Sequence, residues 1–380
     1  MKWKKVRLGD VTDSCLGKML DKEKNRGEYQ LYLSNKDVRW GSFDLEHLDL
    51  MKFEEHEEDR YGVRYGDLIV CEGGEPGRCA IWKDQIPNMK IQKALHRVRV
   101  HEDLDYRFLY YWFLWAGKRG ELQQYFTGAT IKHMPGDKLK SVIITKPDIE
   151  TQRQIADVLS AYDDLIENNQ NQIKLLEEAA QRLYKEWFVD LRFPGHEKTG
   201  IIDSVPEGWH MGTLGEIVEF RRGKTITKAQ VKEGNVPVVA GGLEPAYYHS
   251  EANTKAPVIT VSGSGANAGF SRMYHEDVFT SDCSFADIQG TKSISFVYCF
   301  LKANKYQLDA LQKGSAQPHV YAKDINAMEM LIPQAEQITH YCAKADVLFN
   351  KIGVLQKQTA TAIEARDRLL PKLMSGEIEL

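Results

Sequence analysis

The amino-acid sequence predicts an α+β fold: two α/β domains separated by a long antiparallel two-helix coiled coil, which together form a pseudo-two-fold internal repeat. Two observations predict it. Sequence patterns of the first half recur in the second half in the same order, and each half ends in a long segment with heptad-spaced apolar residues. A chain of 380 residues with 42% hydrophobic and 27% charged residues is typical of a globular protein with two or three domains.

The repeat begins at two tryptophans. Trp3 and Trp209 each open the pattern W-x-x-x-x-L-G, followed by an acidic and a β-branched residue. Further on, LKSVIITKPDIE at 139–150 aligns with INAMEMLIPQAE at 325–336. Each copy therefore consists of a glycine-punctuated, β-rich region followed by a long helix.

Apolar residues alternate four and three positions apart in both predicted helices, which indicates a coiled-coil seam. The first seam contains Ile155, Leu159, Tyr162, Ile166, Asn169, Ile173, Leu176, Leu183 and Trp187. The second contains Leu348, Ile352, Leu355, Leu369 and Leu373, with Arg366 at a seam position. A single Asn in such a seam usually fixes register and pairing. The alternative is that each helix packs only on its own domain.

Composition excludes several classes of protein. The six cysteines form no C-x-x-C pair, so neither a zinc knuckle nor a disulfide framework is predicted, and a reducing cytoplasm is expected. No secretion signal or membrane span is predicted, because long apolar runs are absent from the sequence. A net charge of −4 gives no global indication of DNA binding, so any DNA-binding surface is local.

The stretch VITVSGSGANAG at 258–269 raises the question of a nucleotide-binding loop. Such a loop requires a helix directly after its glycines, and the following residues FSRMYHEDVFTSD are typical of strand and turn. The aligned stretch LIVCEG at 68–73 continues into Glu75 and Pro76, which suit a tight turn. The sequence favours a repeated exposed loop whose glycines allow close approach to a large partner.

No catalytic constellation is predicted. The chain contains no Pro-Pro pair, which the Asn/Asp-Pro-Pro-aromatic motif of amino-group methylation needs, and no G-x-x-x-x-G-K-[ST] motif for ATP. The pairs Asp163-Asp164 and Glu177-Glu178 are predicted to be solvated carboxylates on helix faces away from the seam.

Five segments carry a resemblance to a known family. They are GATIKHM (128–134), PDIETQRQIADVLSAYDDLIENN (147–169), LYKEWFVDLRFPGHE (183–197), VPEGW (205–209) and GSAQPHV (314–320). Together they resemble the specificity subunit of type I restriction-modification systems, in an order that covers essentially the whole chain. The resemblance implies that each globular domain reads one half of a split sequence in double-stranded DNA. It also implies that the two helices set the gap and dock two modification (methyltransferase) subunits.

The same resemblance implies which subunits carry out catalysis and how this chain is divided into segments. Catalysis is expected in other chains. S-adenosylmethionine, ATP and magnesium are expected to bind to partner subunits, which include restriction/translocase subunits in the full complex. No cofactor or metal is expected in this chain. The expected segments are target-recognition domain 1 (1–148), spacer helix 1 (149–190), target-recognition domain 2 with its linker (191–332) and spacer helix 2 (333–380).

Candidate DNA contacts follow from side-chain chemistry: Arg and Lys contact phosphate or guanine, Asn and Gln pair with adenine, and glycine allows close approach. In the first domain they are Tyr32, Asn35, Lys36, Arg39, Gly73, Gly74, Arg78, Lys93, His96, Arg97, Thr130, Lys132 and His133. In the second they are Arg221, Arg222, Lys224, Thr225, Ser262, Ser264, Asn267, Arg272, Gln317 and His319. Each is alternatively a solvated surface residue, and GATIKH and GSAQPH are alternatively turns that orient other loops.

Neither half is strongly basic, whereas a free-standing DNA-binding protein normally has a basic face. We therefore expect weak DNA binding by this chain alone, with partner subunits supplying phosphate contacts. The competing class is a bivalent coiled-coil scaffold that binds proteins without reading bases. A third class is an enzyme that uses the glycine loop.

Overall fold

The structure is a computed structural model that describes residues 3–21, 25–314 and 317–380. The chain forms two compact units: unit 1 comprises Met1–Ile166 with Thr361–Leu380, and unit 2 comprises Glu167–Ala360. Both contain sheets, short helices and parts of two long helices. The four-segment division expected from the sequence follows the order of elements along the chain and stays a prediction.

The described residues of unit 1 form nine strands. They are β1 (Lys4–Arg7), β2 (Thr12–Leu16), β3 (Glu28–Leu33), β4 (Asp49–Phe53), β5 (Leu68–Cys71), β6 (Cys79–Ile81), β7 (Lys90–Ile91), β8 (Leu95–Val100) and β9 (Ile143–Lys146). Its helices are α1 (Glu58–Tyr61), α2 (Tyr106–Lys118), α3 (Gly136–Lys140) and the first part of α4 (Ile149–Tyr184). A π turn over Lys185–Val189 follows α4.

Unit 2 repeats this plan. Its strands are β10 (Ile201–Ile202), β11 (Val205–Pro206), β12 (His210–Thr213), β13 (Arg221–Arg222), β14 (Val236–Val239), β15 (Tyr247–His249), β16 (Val258–Ser262), β17 (Ser271–Tyr274), β18 (Phe279–Thr280), β19 (Cys283–Asp287) and β20 (Glu329–Ile332). Its helices are α5 (Ile294–Ala303), α6 (Lys305–Ala310), α7 (Ala322–Asn326) and most of α8 (Ala335–Met374).

The two units have the same sheet topology. A four-stranded antiparallel sheet has the order β2-β8-β5-β6 in unit 1 and β13-β19-β16-β17 in unit 2. A three-stranded sheet has the order β4-β3-β7 and β15-β14-β18, and in both its last pair is parallel. The pairs β1-β9 and β12-β20 also correspond. The predicted mixed fold and internal repeat are confirmed.

Helix α2 forms the centre of the unit 1 core. Asp105 caps it, because its carboxylate accepts hydrogen bonds from the backbone N–H groups of Arg107 (2.9 Å) and Phe108 (3.1 Å). The helix is apolar on nearly all faces and is buried against β5 and β8 and against α4 and α8 residues such as Leu159 and Leu373.

Among the described residues, no helix combines the length and apolarity needed to span a bilayer.

The predicted seam residues are all sheltered: they lie on the two long helices, except for Trp187, which lies in the π turn after α4. Ile155, Leu159, Ile166, Asn169, Trp187, Ile352, Leu355 and Leu373 are buried, and Tyr162, Ile173, Leu176, Leu183, Leu348 and Leu369 are half-buried. Asn169 has an Nδ2 group with no hydrogen-bond partner among the described residues.

Within each unit the helix segments run antiparallel. In unit 1, Asp163 of α4 pairs with Arg366 of α8, while the earlier residue Leu159 shares a core with the later residue Leu370. In unit 2, Tyr341 donates a hydrogen bond to the carbonyl oxygen of Ala180 at 3.1 Å. The antiparallel pairing predicted from the seams is confirmed.

The prediction made for Asp163 from the sequence is wrong. Asp163 is not a solvated carboxylate: the Tyr111 hydroxyl donates to one of its oxygens at 2.6 Å and Arg366 Nη1 donates to the other at 2.6 Å. Burial opposes the charge on Arg366, but the hydrogen bonds and charges of Asp163 and Asp367 outweigh it and raise the pKa of the guanidinium. The sequence interpretation failed because a heptad pattern does not show what α2 packs against that face.

Candidate nucleic-acid interface

A glycine-containing loop connects the same two strands of the four-stranded sheet in each unit. Residues 72–78 join β5 to β6, and residues 263–270 join β16 to β17. Each loop pairs with a second, more distant loop through an isolated backbone bridge, Gly73 with His133 in unit 1 and Ser264 with His319 in unit 2. We call 127–133 and 313–319 the tip loops; residues 315 and 316 lie outside the described residues.

Both tip loops are closed by reciprocal backbone hydrogen bonds between their first and last residues. The Thr127 N–H donates to the His133 carbonyl at 2.7 Å and the His133 N–H donates back at 2.9 Å. The Lys313 and His319 bonds measure 2.9 Å and 2.8 Å. The motifs GATIKH and GSAQPH thus form equivalent loops, and each holds its backbone against the glycine-containing loop of its unit.

Glycine is required at the second position of both tip loops. Gly128 has φ +89° and Gly314 has φ +100°, a left-handed conformation that other residues rarely adopt. A Cβ atom at Gly128 would also collide with the carbonyl oxygen of Ile131, and one at Gly314 would lie 2.7 Å from that of Gln317. The tight closure therefore depends on glycine in both units.

In unit 1 the segment containing Asn35 packs beside the glycine-containing loop. Asn35 Nδ2 donates to the Gly73 carbonyl at 3.1 Å, and Arg78 donates to the Asn35 carbonyl at 2.9 Å. Arg78 also pairs with Glu75 at 3.3 Å, and Gly74 is exposed next to Asn35. The structure therefore brings Asn35, Gly73, Gly74, Arg78 and His133 together, as one continuous patch.

Five further polar candidates of unit 1 are exposed. Lys36 pairs with Asp49 at 2.6 Å and Arg39 with Asp44 at 3.3 Å. Such solvent-exposed pairs contribute only about 0–1 kcal/mol, so a phosphate can replace the carboxylate at small cost. Thr130, Lys132 and Lys93 are exposed, and neither lysine forms an ion pair within the described parts of the chain.

Besides Gly73, which is also buried, three candidates of unit 1 have buried side chains. Tyr32 lies in the core, His96 contacts the Met134 carbonyl at 3.0 Å, and Arg97 donates to the carbonyls of Asp59 (2.9 Å) and Gly62 (2.8 Å). Burial lowers the pKa of His96, which favours its neutral form. Because these side chains are enclosed, they are not part of the proposed interface.

In unit 2 the serines of the glycine-containing loop have internal partners. Ser262 is buried and donates to the Gly241 carbonyl at 3.0 Å, and Ser264 donates to Asp282 at 2.5 Å. Asn267 is 3.5 Å from the same Gly241 carbonyl. Arg272 donates to the Leu243 carbonyl at 2.9 Å and lies 5.0 Å from the ring centre of Tyr274. This loop is held against the segment around Gly241 and Leu243.

The remaining candidates of unit 2 lie at its surface. Arg221 is 3.4 Å from Asp287 and stacks over Phe285, with its guanidinium carbon 5.1 Å from the ring centre. The candidates Arg222, Lys224, Thr225 and Gln317 are exposed, and neither Arg222 nor Lys224 forms a salt bridge with another described residue. His319 is half-buried and stacks on Tyr321, with 6.0 Å between ring centres.

The structure also decides the nucleotide-loop question. After β16 the chain makes one short 3-10 turn, Gly265–Asn267, and then enters strand β17, which pairs antiparallel with β16. A phosphate cradle would need a helix N-terminus at that point.

One exposed residue of the first tip loop, Ile131, was not among the candidates predicted from the sequence, because its side chain carries no polar group.

Comparisons with known proteins agree with this architecture. Residues 1–178 and 206–378 match the family described as the type I restriction modification DNA specificity domain. The chain is 27% identical over 346 residues to the type I restriction enzyme MjaIX specificity subunit of Methanocaldococcus jannaschii, covering 83% of this chain and 78% of that protein. It is 27% identical over 240 residues to the MjaVIII specificity subunit of the same organism, covering 62% and 53%.

A solved structure shares the fold. The crystal structure of a type I restriction-modification system S subunit from M. genitalium gives a TM-score of 0.64 at 21% identity, covering 98% of this chain and 96% of that chain. The family match spans most of the sequence and both copies of the repeat. The chain therefore belongs to the type I restriction-modification specificity subunits, a family of DNA-specificity components rather than catalytic ones.

Proposed function

We propose that each unit reads one half of a bipartite site in double-stranded DNA, and that the chain itself catalyses nothing. The observation that carries this proposal is the duplicated pairing of a glycine-containing loop with a tip loop, through Gly73 and His133 in unit 1 and Ser264 and His319 in unit 2. Two like reading surfaces in one chain suit a target with two separated parts.

The exposed cations support DNA as the ligand. Lys132 lies on the first tip loop, and Arg222 and Lys224 lie at the start of the second four-stranded sheet. Such cations contact phosphates and fix the position of a protein on the duplex, whereas Asn and Gln side chains distinguish bases. The overall charge of −4 supports a weak affinity of the isolated chain, with further phosphate contacts from partner subunits.

The outer faces of the long helices support docking of partner proteins. Leu165 and Leu175 on α4 and Val347 and Val354 on α8 are large apolar side chains that remain exposed. Because each long helix contributes to both units, we propose two equivalent docking sites, which bind two modification subunits. Native mass spectrometry should give two modification subunits per chain; a saturated one-to-one complex would contradict the proposal.

The chemistry belongs to the partners in this proposal. Modification subunits supply S-adenosylmethionine binding and methyl transfer, and restriction/translocase subunits supply ATP and magnesium chemistry in the full complex. The assembly acts in the prokaryotic cytoplasm, where its DNA target is located.

Methylation-site mapping of a genome that carries the complex tests the proposal. Exchanging residues 1–148 for the matching domain of a relative should change one half-site and leave the other unchanged. A change in both halves, or in neither, would show that the units do not read independently. A gel-shift titration with bipartite duplexes, with and without the modification subunit, separates DNA reading from the competing scaffold function: a scaffold would bind the subunit and show no sequence preference.

A further inference from the structure

The two tip loops are closed by the same pair of backbone hydrogen bonds, and their equivalent exposed residues Ile131 and Gln317 differ in side-chain chemistry. Aligning their closing residues, Thr127 with Lys313 and His133 with His319, places Ile131 opposite Gln317. In both loops the carbonyl oxygen of this residue is the nearest atom to the missing Cβ of the glycine, Gly128 or Gly314. Positions 131 and 317 are therefore equivalent places on one repeated loop.

Ile131 has no packing role that explains its identity. Its side chain is 64% exposed, and it belongs to none of the apolar clusters of the described residues. Single exposed apolar residues are common on protein surfaces, so exposure alone carries no conclusion. The informative feature is that a fixed backbone presents an aliphatic side chain in one unit and a carboxamide, also exposed, in the other.

We propose that residues 131 and 317 determine base specificity, an inference that rests on the proposed DNA-reading function. Of the four unmodified bases only thymine presents a methyl group in the major groove, and an aliphatic side chain contacts it favourably. A Gln side chain instead pairs with the N6 amino group and N7 of adenine. Ile131 thus reads a thymine methyl in the first half-site, and Gln317 reads an adenine in the second.

The hydrogen-bonded closure of each tip loop favours direct recognition of a base over general phosphate binding. The reciprocal bonds that close each loop, at 2.7–2.9 Å, fix the Cα position from which the side chain projects. Lys132, the next residue, offers a cation to the phosphate beside the base. The first tip loop, in which both groups are adjacent, can anchor on the backbone of the duplex and test one base edge. In the second tip loop Pro318 stands at the position of Lys132, so Gln317 has no adjacent cation in that loop.

The first test uses the complete complex with its modification subunits and the half-sites found by methylation mapping. Deoxyuridine replaces each thymine of the first half-site in turn, which removes only the methyl group. At one position we expect affinity to fall about fourfold, the effect of one buried methyl-sized group. The Ile131→Ala complex should lose this sensitivity. If Ile131→Ala responds to every deoxyuridine as the unaltered complex does, the assignment of Ile131 is overturned.

Position 317 provides the matching test. Replacing adenines of the second half-site by 7-deazaadenine removes N7, and we expect about fivefold weaker binding when one particular adenine is replaced. The Gln317→Ala complex should lose this sensitivity to 7-deazaadenine.

The exchange variant Ile131→Gln should alter base preference at one position of the first half-site only, whereas Ile131→Val should keep it. An active Ile131→Gln complex with unchanged half-sites overturns the inference but leaves the proposed function standing. If the unaltered complex binds no specific site, both are overturned.

Discussion

Asp163 and Arg366 meet across the two long helices of unit 1, with 2.6 Å between Asp163 Oδ1 and Arg366 Nη1. The Tyr111 hydroxyl donates to the second carboxylate oxygen at 2.6 Å, so α2, α4 and α8 share one polar contact. Lys118 extends the network to Asp367 at 2.9 Å. The contact lies where the seam of α8 replaces an apolar residue by Arg366, and it favours one register of the helices over others.

We predict that Asp163→Asn destabilises the chain by about 1–3 kcal/mol, because it leaves the sheltered guanidinium of Arg366 without its main partner. A double-mutant cycle with Arg366→Met, measured by denaturant unfolding, should give a clear coupling energy. The matched control is Arg368→Met, which removes the exposed pair of Arg368 and Glu364 on the same helix. That control should change stability by less than about 0.5 kcal/mol. Equal effects at Arg366 and Arg368 would contradict the prediction.

Gly128→Ala should weaken DNA binding by the complex as well as stability. Its φ of +89° strains any other residue by about 1–2 kcal/mol, and the added Cβ collides with Ile131 O, so the tip loop must open. The control is Gly195→Ala, at φ +90° with no atom within 4 Å of the new Cβ. Thermal unfolding and DNA titration of both variants separate the two effects. Loss of affinity in both variants, or in neither, would refute a specific role for the tip loop.

Lys132→Gln should lower affinity for specific and random duplexes by a similar factor. It should also reduce the slope of log affinity against log salt by about 1, as expected for one lost phosphate contact. Lys305→Gln is a suitable control, because Lys305 is exposed on α6 and pairs with Asp309. Titrations at several salt concentrations give the slope. A change restricted to one DNA sequence would identify Lys132 as a base contact instead.

Insertion of one heptad into each long helix, after Glu167 in α4 and after Ala360 in α8, should lengthen the non-specific spacer. Both helices continue from one unit into the other at these points, and a heptad preserves the seam while adding about 10 Å. That length corresponds to about three base pairs. Methylation mapping should find unchanged half-sites with a longer gap. An unchanged gap in an active complex would remove the helices as the determinant of spacing.

An insertion of two residues is the contrasting variant. It rotates the following seam by about 200° and exposes its apolar positions, so we expect lower stability rather than a new spacing.

Much of the fold followed from the sequence, because repeated patterns and heptad spacing are local signals. The same signals could not assign His96 and Arg97. The two residues are adjacent in the strand LHRVRV and therefore point to opposite faces of the sheet: His96 meets the Met134 carbonyl on one face, and Arg97 meets the carbonyls of Asp59 and Gly62 on the other. Asp163 was misread for a similar reason, since Tyr111 approaches it from a helix distant in sequence. Tertiary neighbours, which periodicity does not encode, decided these positions.

Unit 1 is completed by residues 361–380, whose side chains Leu370, Leu373 and Met374 lie in its core. During synthesis its sheets leave the ribosome first, but the segment that closes their core is translated after all of unit 2. Domains that fold in order of translation normally need no such wait. The core of the nascent first unit therefore stays incomplete while all of unit 2 is translated, and a stop codon before residue 361 would damage the unit whose sheets precede it by about 200 residues.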